Sequence, residues 1–391
     1  MMIDFHAQVK RWSCCASLGV PYQSGCVTRH HGWLSARPEG WTEAALREMV
    51  ARVREAGFQE VIPWTDYAPG LIHEIGNEAQ STSVADAKDV FLDRIGRFVE
   101  AAHRAGLKVQ LYFAIGTGIM ASARVHDDGA KRLHVNELGV KYPQYSTRDR
   151  SGRSSLALAK RGETDLAYAS LAYPDVRSWL ADYVVGTAAS SGADGIQLEP
   201  TGGAPLDEKG VRLHGYDDPT MEAFKQRYGR DPMSLPNDEE AWVNARCEET
   251  TKLVREVRSR VASLNRHLDL TIQCHNLSRD PKTFFWPWRD WVAEGLIDAC
   301  YLKSTSNKGF QEVLSEAKTW CEQRGVRISG LLDTKTYSSF RTPEDIAQGV
   351  RTVLRAGITH VTIYGLAFTP LAPNPKEIPV EHWLAARNMI V

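Results

Sequence analysis

The chain has 391 residues, 24% of them charged and 43% hydrophobic, ordinary values for a globular protein and enough for one large domain or two smaller ones. Its 47 basic and 48 acidic residues leave a formal net charge of −1, which excludes the basic footprint expected of nucleic-acid or anionic-membrane binding. No run is long and apolar enough to span a bilayer, and Met1 to Val20 lacks the basic-then-apolar layout of a secretion signal. The expectation is a cytoplasmic protein, with a secreted precursor trimmed of its signal as the alternative. Seven cysteines (Cys14, Cys15, Cys26, Cys247, Cys274, Cys300 and Cys321) form no CxxC pair and no zinc spacing, so structural thiols are expected rather than a disulfide framework.

The organising signal is a repeat of strand, amphipathic helix and strand. A first strand is placed somewhere in Ser13–His30. Thr42 opens a helix carrying Leu46, Met49, Val50 and Val53 at helical spacing, and Gly57 closes it. The short run from Glu60 to Trp64 is the second strand. A second helix carries Phe91, Ile95, Phe98 and Ala102 on one face and ends at Gly106, before a buried strand over Leu107–Ile115. The helix at Asp175–Ser190 leads into the fourth strand, Asp194–Glu199. Later strands are expected at Asp269–His275, Ile297–Lys303, Val326–Leu332 and His360–Tyr364. Helices are expected at Phe310–Arg324 and Thr342–Ala356, the latter opened by a capping hydroxyl, a proline and two acids.

Such alternation implies parallel strands joined by crossover helices. Eight strands close a (β/α)₈ TIM barrel, here one domain over residues 1–391. A doubly wound open sheet is the alternative, without a glycine fingerprint to support it. Two long insertions interrupt the spacing, Gly116 to Tyr173 after the third strand and Pro200 to about Asn237 after the fourth. Both leave the carboxyl ends of strands, where barrels build their sites.

Polar residues at strand ends are therefore the candidates for chemistry. They are Asp66 after the second strand, Tyr112 on the third, Glu199 ending the fourth, and His275 and Asn276 after the fifth. The sixth strand offers Tyr301 and Lys303, the seventh Asp333 with Lys335 beyond it, and the eighth Tyr364. A buried carboxylate is costly unless paired or used. Glu199 and Asp333 come from strands that face each other across a barrel mouth, so they can flank one bond, as glycosidic cleavage requires. The competing reading is a strand-end ion pair with Lys303 or Lys335. Trp64, Asp66 and Tyr67 together resemble a sugar subsite, and Trp286 and Trp288 are candidates to wall the cleft or to pack the rim. His30, His31, His214 and His275 make no metal spacing. No phosphate-cradling glycine loop, Gly-x-Ser-x-Gly elbow or Cys/His nucleophile pair occurs, and no cofactor is expected.

Several segments bring a family into view. Tyr142-Pro143-Gln144-Tyr145 through Arg148-Asp149-Arg150-Ser151-Gly152 resembles a proline–aromatic, then Arg-Asp-x-x-Gly loop of bacterial glycosyl-hydrolase-like TIM barrels (the family-10-type glycosylhydrolase-like proteins). Tyr173-Pro174-Asp175-Val176-Arg177 looks like their Pro-x-Val-Arg helix start. Gly215-Tyr216-Asp217-Asp218-Pro219 and Phe224 to Pro232 resemble the Phe-x-x-Arg-Tyr-Gly-x-Asp element those proteins carry after the fourth strand. The resemblance covers residues 40 to 235 well and the remainder as a barrel. It implies an acid at the end of the fourth strand, which is Glu199. Those proteins often have Asp-Gly-Ile-x-x-Asp there, whereas this chain ends the same pattern in glutamate.

Together these features predict a glycoside hydrolase cleaving an oligosaccharide or glycoside by a two-carboxylate mechanism, with retention. Glu199 is the expected acid/base and Asp333 the nucleophile or base. Trp64, Asp66, Tyr67, Tyr112, His275, Asn276, Tyr301, Lys303, Tyr364 and Trp286 are the expected sugar contacts. The alternatives are a catalytically silent carbohydrate-binding barrel and a metal-dependent isomerase or lyase using Glu199, His275 and Asp333. A carbohydrate is the expected partner, with no nucleic acid and no membrane, and the sequence does not specify the oligomeric state.

Overall fold

The computed structural model describes residues 8–16, 43–63, 73–74, 84–115, 119–125, 131–135, 137–200, 205–275, 280–335, 338–367 and 378–390. Eight parallel strands close a barrel. We label them β1 (Arg11–Ala16), β2 (Glu60–Pro63), β3 (Lys108–Ala114), β4 (Gly195–Glu199), β5 (Asp269–Cys274), β6 (Ala299–Ser304), β7 (Arg327–Asp333) and β8 (His360–Tyr364). Each strand pairs with its neighbours in sequence, and β1 pairs with β8 to close the ring.

The period of two in a strand sorts the side chains onto two faces. Alternate residues such as Val109, Leu111 and Phe113, or Ile196 and Leu198, point outward into the main apolar core beneath the helices. The other set fills the lumen, where Ile62, Tyr112, Ala299, Tyr301, Leu331 and Tyr364 form a second cluster. Much of the rest of the lumen is polar. Glu60 forms an ion pair with Arg11 and accepts from Tyr301 Oη at 2.8 Å and Gln110 Nε2 at 2.6 Å. Thr271 Oγ1 donates to Gln110 Oε1 at 2.7 Å. This network occupies the amino-terminal half of the lumen and leaves the opposite mouth to other residues.

Around the ring pack α1 (Glu43–Glu55), α2 (Val84–Arg104), α3 (Pro174–Ser191), α4 (Glu240–Ala262), α5 (Trp288–Ala293), α6 (Phe310–Glu322), α7 (Pro343–Arg355) and α8 (Val380–Asn388). The expected cap is present: Thr342 Oγ1 accepts from the Asp345 N–H at 3.2 Å, and Pro343 follows. Asp194 and Asp298, just ahead of β4 and β6, each accept a backbone N–H of the preceding strand, from Val109 and Leu270 at 2.7 Å. These carboxylates satisfy strand-start donors that a closed ladder would otherwise orphan.

The eight strands fall on or overlap the expected runs, with edges shifted by a residue or two; β1 begins at Arg11, two residues ahead of its expected segment. Helix α4, 23 residues long, was not foreseen. It packs on α3 and buries Arg246, Glu249, Thr250 and Thr251 among its apolar residues, which blurs the apolar stripe that periodicity detects.

A four-stranded antiparallel sheet lies between β3 and α3, built from Ile119–Val125, Lys131–Val135 and Leu166–Tyr168, with His73–Glu74 joining its edge. The family-like motifs hold this excursion in place. Asp149 closes the Arg148–Gly152 turn by accepting from the Ser151 and Arg153 N–H groups at 2.9 and 3.0 Å. Arg177 donates to the carbonyls of Leu171 and Ala172 at 2.6 and 3.0 Å and to Glu256 on α4 at 2.9 Å. That side chain fastens the exit of the excursion to two helices at once.

Gly330 on β7 shows how closely helix and barrel approach. A Cβ there would lie 2.5 and 2.6 Å from the two γ-methyls of Val353 on α7. A β-branched neighbour on a packed helix cannot swing away, so Gly330→Ala is expected to lower stability by about 1–3 kcal/mol in urea unfolding.

Candidate functional site

The carboxyl ends of β3 to β8 bring Tyr112, Glu199, His275, Lys303, Asp333 and Tyr364 to one mouth. Glu199 ends β4 with 5% of its surface exposed, and its Oε1 lies 2.9 Å from His275 Nε2. The same nitrogen is 3.2 Å from Gln273 Oε1, while Gln273 Nε2 donates to Gln197 Oε1 at 2.6 Å. Both neighbours of the imidazole nitrogen are acceptors, so Nε2 carries the hydrogen. Burial pushes the His275 pKa down, as does the Lys303 ammonium, against the pull of Glu199 and Asp333.

Burial by itself would raise the Glu199 pKa. His275, the Lys303 ammonium and a hydrogen bond from Tyr112 outweigh that burial and hold it below the usual glutamate value. The neighbours of Glu199 thus favour its ionised form.

Asp333 ends β7 with no exposed surface, and its Oδ2 lies 3.1 Å from Lys303 Nζ. Its other oxygen accepts the Lys335 backbone N–H at 3.0 Å. Lys303 Nζ also stands 3.7 Å from the centre of the Tyr364 ring. Lys335 Nζ lies over that ring at 4.6 Å and donates to its hydroxyl at 3.2 Å. The ion pair weighed for Lys303 is formed with Asp333, and the lysine charge also acts on Glu199.

Two expected sugar contacts are placed elsewhere. Tyr301 is fully buried, and its hydroxyl turns to Glu60 and Gln110 near the amino ends of the strands. Trp286 is also buried, donating its indole N–H to the Gln273 carbonyl at 3.0 Å and packing edge-on against Trp291 at 4.7 Å. A polar network in the lumen claims Tyr301 and packing claims Trp286, and strand-end placement alone did not reveal either. Trp64, Asp66, Tyr67 and Asn276, with His30 and His31, lie outside the described residues. Among the described residues no group of three or more His, Cys, Asp and Glu side chains is placed to hold a metal ion, and that includes Glu199, His275 and Asp333.

Sequence reasoning passed over Arg212. It is buried in the second excursion, where burial brings its pKa down to about 10 against the opposing influence of Tyr168 and Glu199. It belongs to no periodic element, so only the spatial arrangement reveals it.

No curated protein sequence matches the chain. Among solved structures, the catalytic domain of a β-amylase from Paenibacillus polymyxa superposes with a TM-score of 0.57 at 10% identity, covering 97% of each chain. The glycoside hydrolase domain of PgaB (BpsB) from Bordetella bronchiseptica gives 0.58 at 12% identity, over 93% of this chain and 97% of that one. At such identities these likenesses show a shared TIM-barrel fold. The sequence itself matches the family described as Glycosyl hydrolase-like 10 across residues 40–332. That span takes in the excursion motifs, α3, the strand carrying Glu199 and most of β7, and the chain belongs to the glycosyl hydrolase-like 10 family.

Proposed function

We propose that the protein is a glycoside hydrolase acting as a single barrel domain, with Glu199 as the carboxylate that engages the anomeric carbon. The observation that carries this reading is Glu199 at the end of β4, hydrogen-bonded to His275 and kept ionised by its neighbours. Such a group is suited to nucleophilic attack or to activating water, whereas a resting general acid needs a raised pKa. The role first expected for Glu199, acid/base, gives way to nucleophile. We keep retention as the expected stereochemical outcome, which requires the two carboxyls to lie at the shorter separation.

Asp333 remains the second acid, paired with Lys303 at 3.1 Å. With the ionised form of Glu199 favoured and Asp333 engaged by lysine, glycosides whose leaving group departs with little protonation are expected to react fastest. Kinetics on nitrophenyl glycosides against methyl glycosides of the same sugar check this. Equal kcat/KM for the two would require a strong resting proton donor that this geometry does not supply.

The pH profile follows from the direction of the Glu199 shift. A depressed pKa keeps the reactive form populated as the solution is acidified, so the acid limb of kcat/KM should fall below pH 4.5, the ordinary glutamate value. An acid limb centred above that value would assign the controlling ionisation to another group.

One observation favours a second reading, a catalytically silent carbohydrate-binding barrel. Asp333 is fully covered and bound to lysine, as expected of an acid used for structure. Turnover by the wild-type protein on a panel of aryl glycosides, lost on Glu199→Gln, separates the two readings.

A further inference from the structure

Two glutamines beside Glu199 and His275 have no part in the chemistry proposed above. Gln197 on β4 and Gln273 on β5 stand two residues before Glu199 and His275 in the chain, and both are fully buried.

Their hydrogen bonds run in one direction. As a carboxylate Glu199 can only accept, so His275 Nε2, 2.9 Å away, carries the hydrogen. Gln273 then turns its Oε1 to that nitrogen, at 3.2 Å, and its Nε2 to Gln197 Oε1, at 2.6 Å. This order leaves Gln197 Nε2 buried without a partner among the described residues, which costs about 1–3 kcal/mol. Reversing both amides would aim Gln273 Nε2 at His275 Nε2, and the imidazole would have to present a lone pair to a carboxylate. The acceptor-only group at the mouth therefore dictates the direction of both amides.

The backbone at Gln273 is held as well. Trp286 Nε1 donates to the Gln273 carbonyl at 3.0 Å. Phe285, just before that indole, is the one non-glycine among the described residues with positive φ, at 56°. A bulky side chain keeps such a conformation only where its surroundings over-determine it.

We propose that Gln273 is a positioning residue: its Oε1 keeps the His275 Nε2–H directed at Glu199 while the charge of Glu199 is lost and regained. In the proposed reaction a Glu199 oxygen bonds to the anomeric carbon as the bond from that carbon to the aglycone oxygen breaks. The electron pair leaves with the aglycone oxygen, which takes a proton from solvent. Water then bonds to the anomeric carbon and gives a proton to solvent, and the pair of the broken ester bond returns to Glu199. Between the two steps the ester is a poorer acceptor than the carboxylate. The Gln273 amide is neutral throughout and holds the hydrogen in place for the returning charge. The consequence for turnover rests on the hydrolase reading; the hold on His275 does not.

The test removes the charge without substrate. Glu199→Gln supplies the uncharged state, and NMR of the full chain with isotope-labelled histidine reads which ring nitrogen is protonated, well above the ordinary histidine value of 6.5. The His275 signals are those missing from His275→Asn. The wild type and Glu199→Gln are expected to show the Nε2–H form alone, and Glu199→Gln/Gln273→Met to show both tautomers. An Nδ1–H form in either of the first two, or Nε2–H alone in the double variant, would overturn the proposal. On a panel of nitrophenyl glycosides, Gln273→Met is expected to lower kcat about tenfold to a hundredfold, with KM within about twofold of wild type. A rise in KM alone also overturns it. The wild-type spectrum needs no substitution at Gln273, so it decides even if that buried variant fails to fold. No hydrolysis by the wild type, with the three spectra as expected, would remove the hydrolase reading and leave the hold on His275 standing. Wild-type turnover in a folded Gln273→Met protein would do the reverse.

Discussion

Replacing Glu199 by Gln is expected to lower kcat/KM on an aryl glycoside by three orders of magnitude or more, with the melting temperature close to wild type. The amide keeps the shape and can still meet His275 Nε2, but it cannot bond to an anomeric carbon or take a proton from water. A factor of about 10³ corresponds to about 4 kcal/mol of lost transition-state stabilisation. Tyr112 and His275 lose a charged acceptor and retain a neutral one, so the fold should tolerate the change. Wild-type rates in a correctly folded Glu199→Gln protein would remove this residue from the chemistry. A collapsed melting temperature would show instead that the carboxylate is structural.

The largest stability effect should come from Lys303. The Lys303–Asp333 pair is almost wholly sealed, with side-chain exposures of 7% and 0%. Two charges brought out of water repay their desolvation only through each other and their remaining hydrogen bonds. Removing the lysine alone strands a covered carboxylate, which costs about 3–5 kcal/mol. Lys303→Met should therefore shift the urea midpoint strongly downward. The double variant Lys303→Met/Asp333→Leu should recover part of the loss, because neither charge is then left uncompensated. A Lys303→Met protein within about 0.5 kcal/mol of wild type would mean that water reaches Asp333 easily, which the geometry denies.

The barrel was legible because its physics is local and repetitive. Val109, Leu111 and Phe113 alternate with Gln110 and Tyr112, and that alternation alone fixes which set faces the helices. Caps such as Thr342 mark the elements where they begin. Helix α4 escaped notice because it buries arginine, glutamate and threonine where a periodicity argument looks for leucine.

The site was legible only in part, for a related reason. A strand-end position says that a side chain is near the mouth, and this brought Glu199, His275, Lys303, Asp333, Tyr112 and Tyr364 into one neighbourhood. It does not say whether an aromatic residue points up to the mouth or down the lumen. Tyr301 turned toward Glu60, and Trp286 packed on Trp291. Nor can it predict which charges will meet. The lysine that claims Asp333 was foreseen as a partner, yet the grouping of His275, Lys303 and Tyr112 that lowers the Glu199 pKa against burial depends on barrel closure. Arg212 comes from an irregular excursion, where sequence spacing carries no directional information.

The proposed hydrolysis turns on Glu199 acting as a carboxylate on an anomeric carbon. Its most direct test is to incubate the protein with a panel of 2-deoxy-2-fluoro glycosides bearing a dinitrophenyl leaving group and to map any labelled peptide by mass spectrometry. The predicted result is one sugar attached at Glu199. Sugar attached at Asp333, or sustained hydrolysis with no attached sugar and an inverted product, would contradict it.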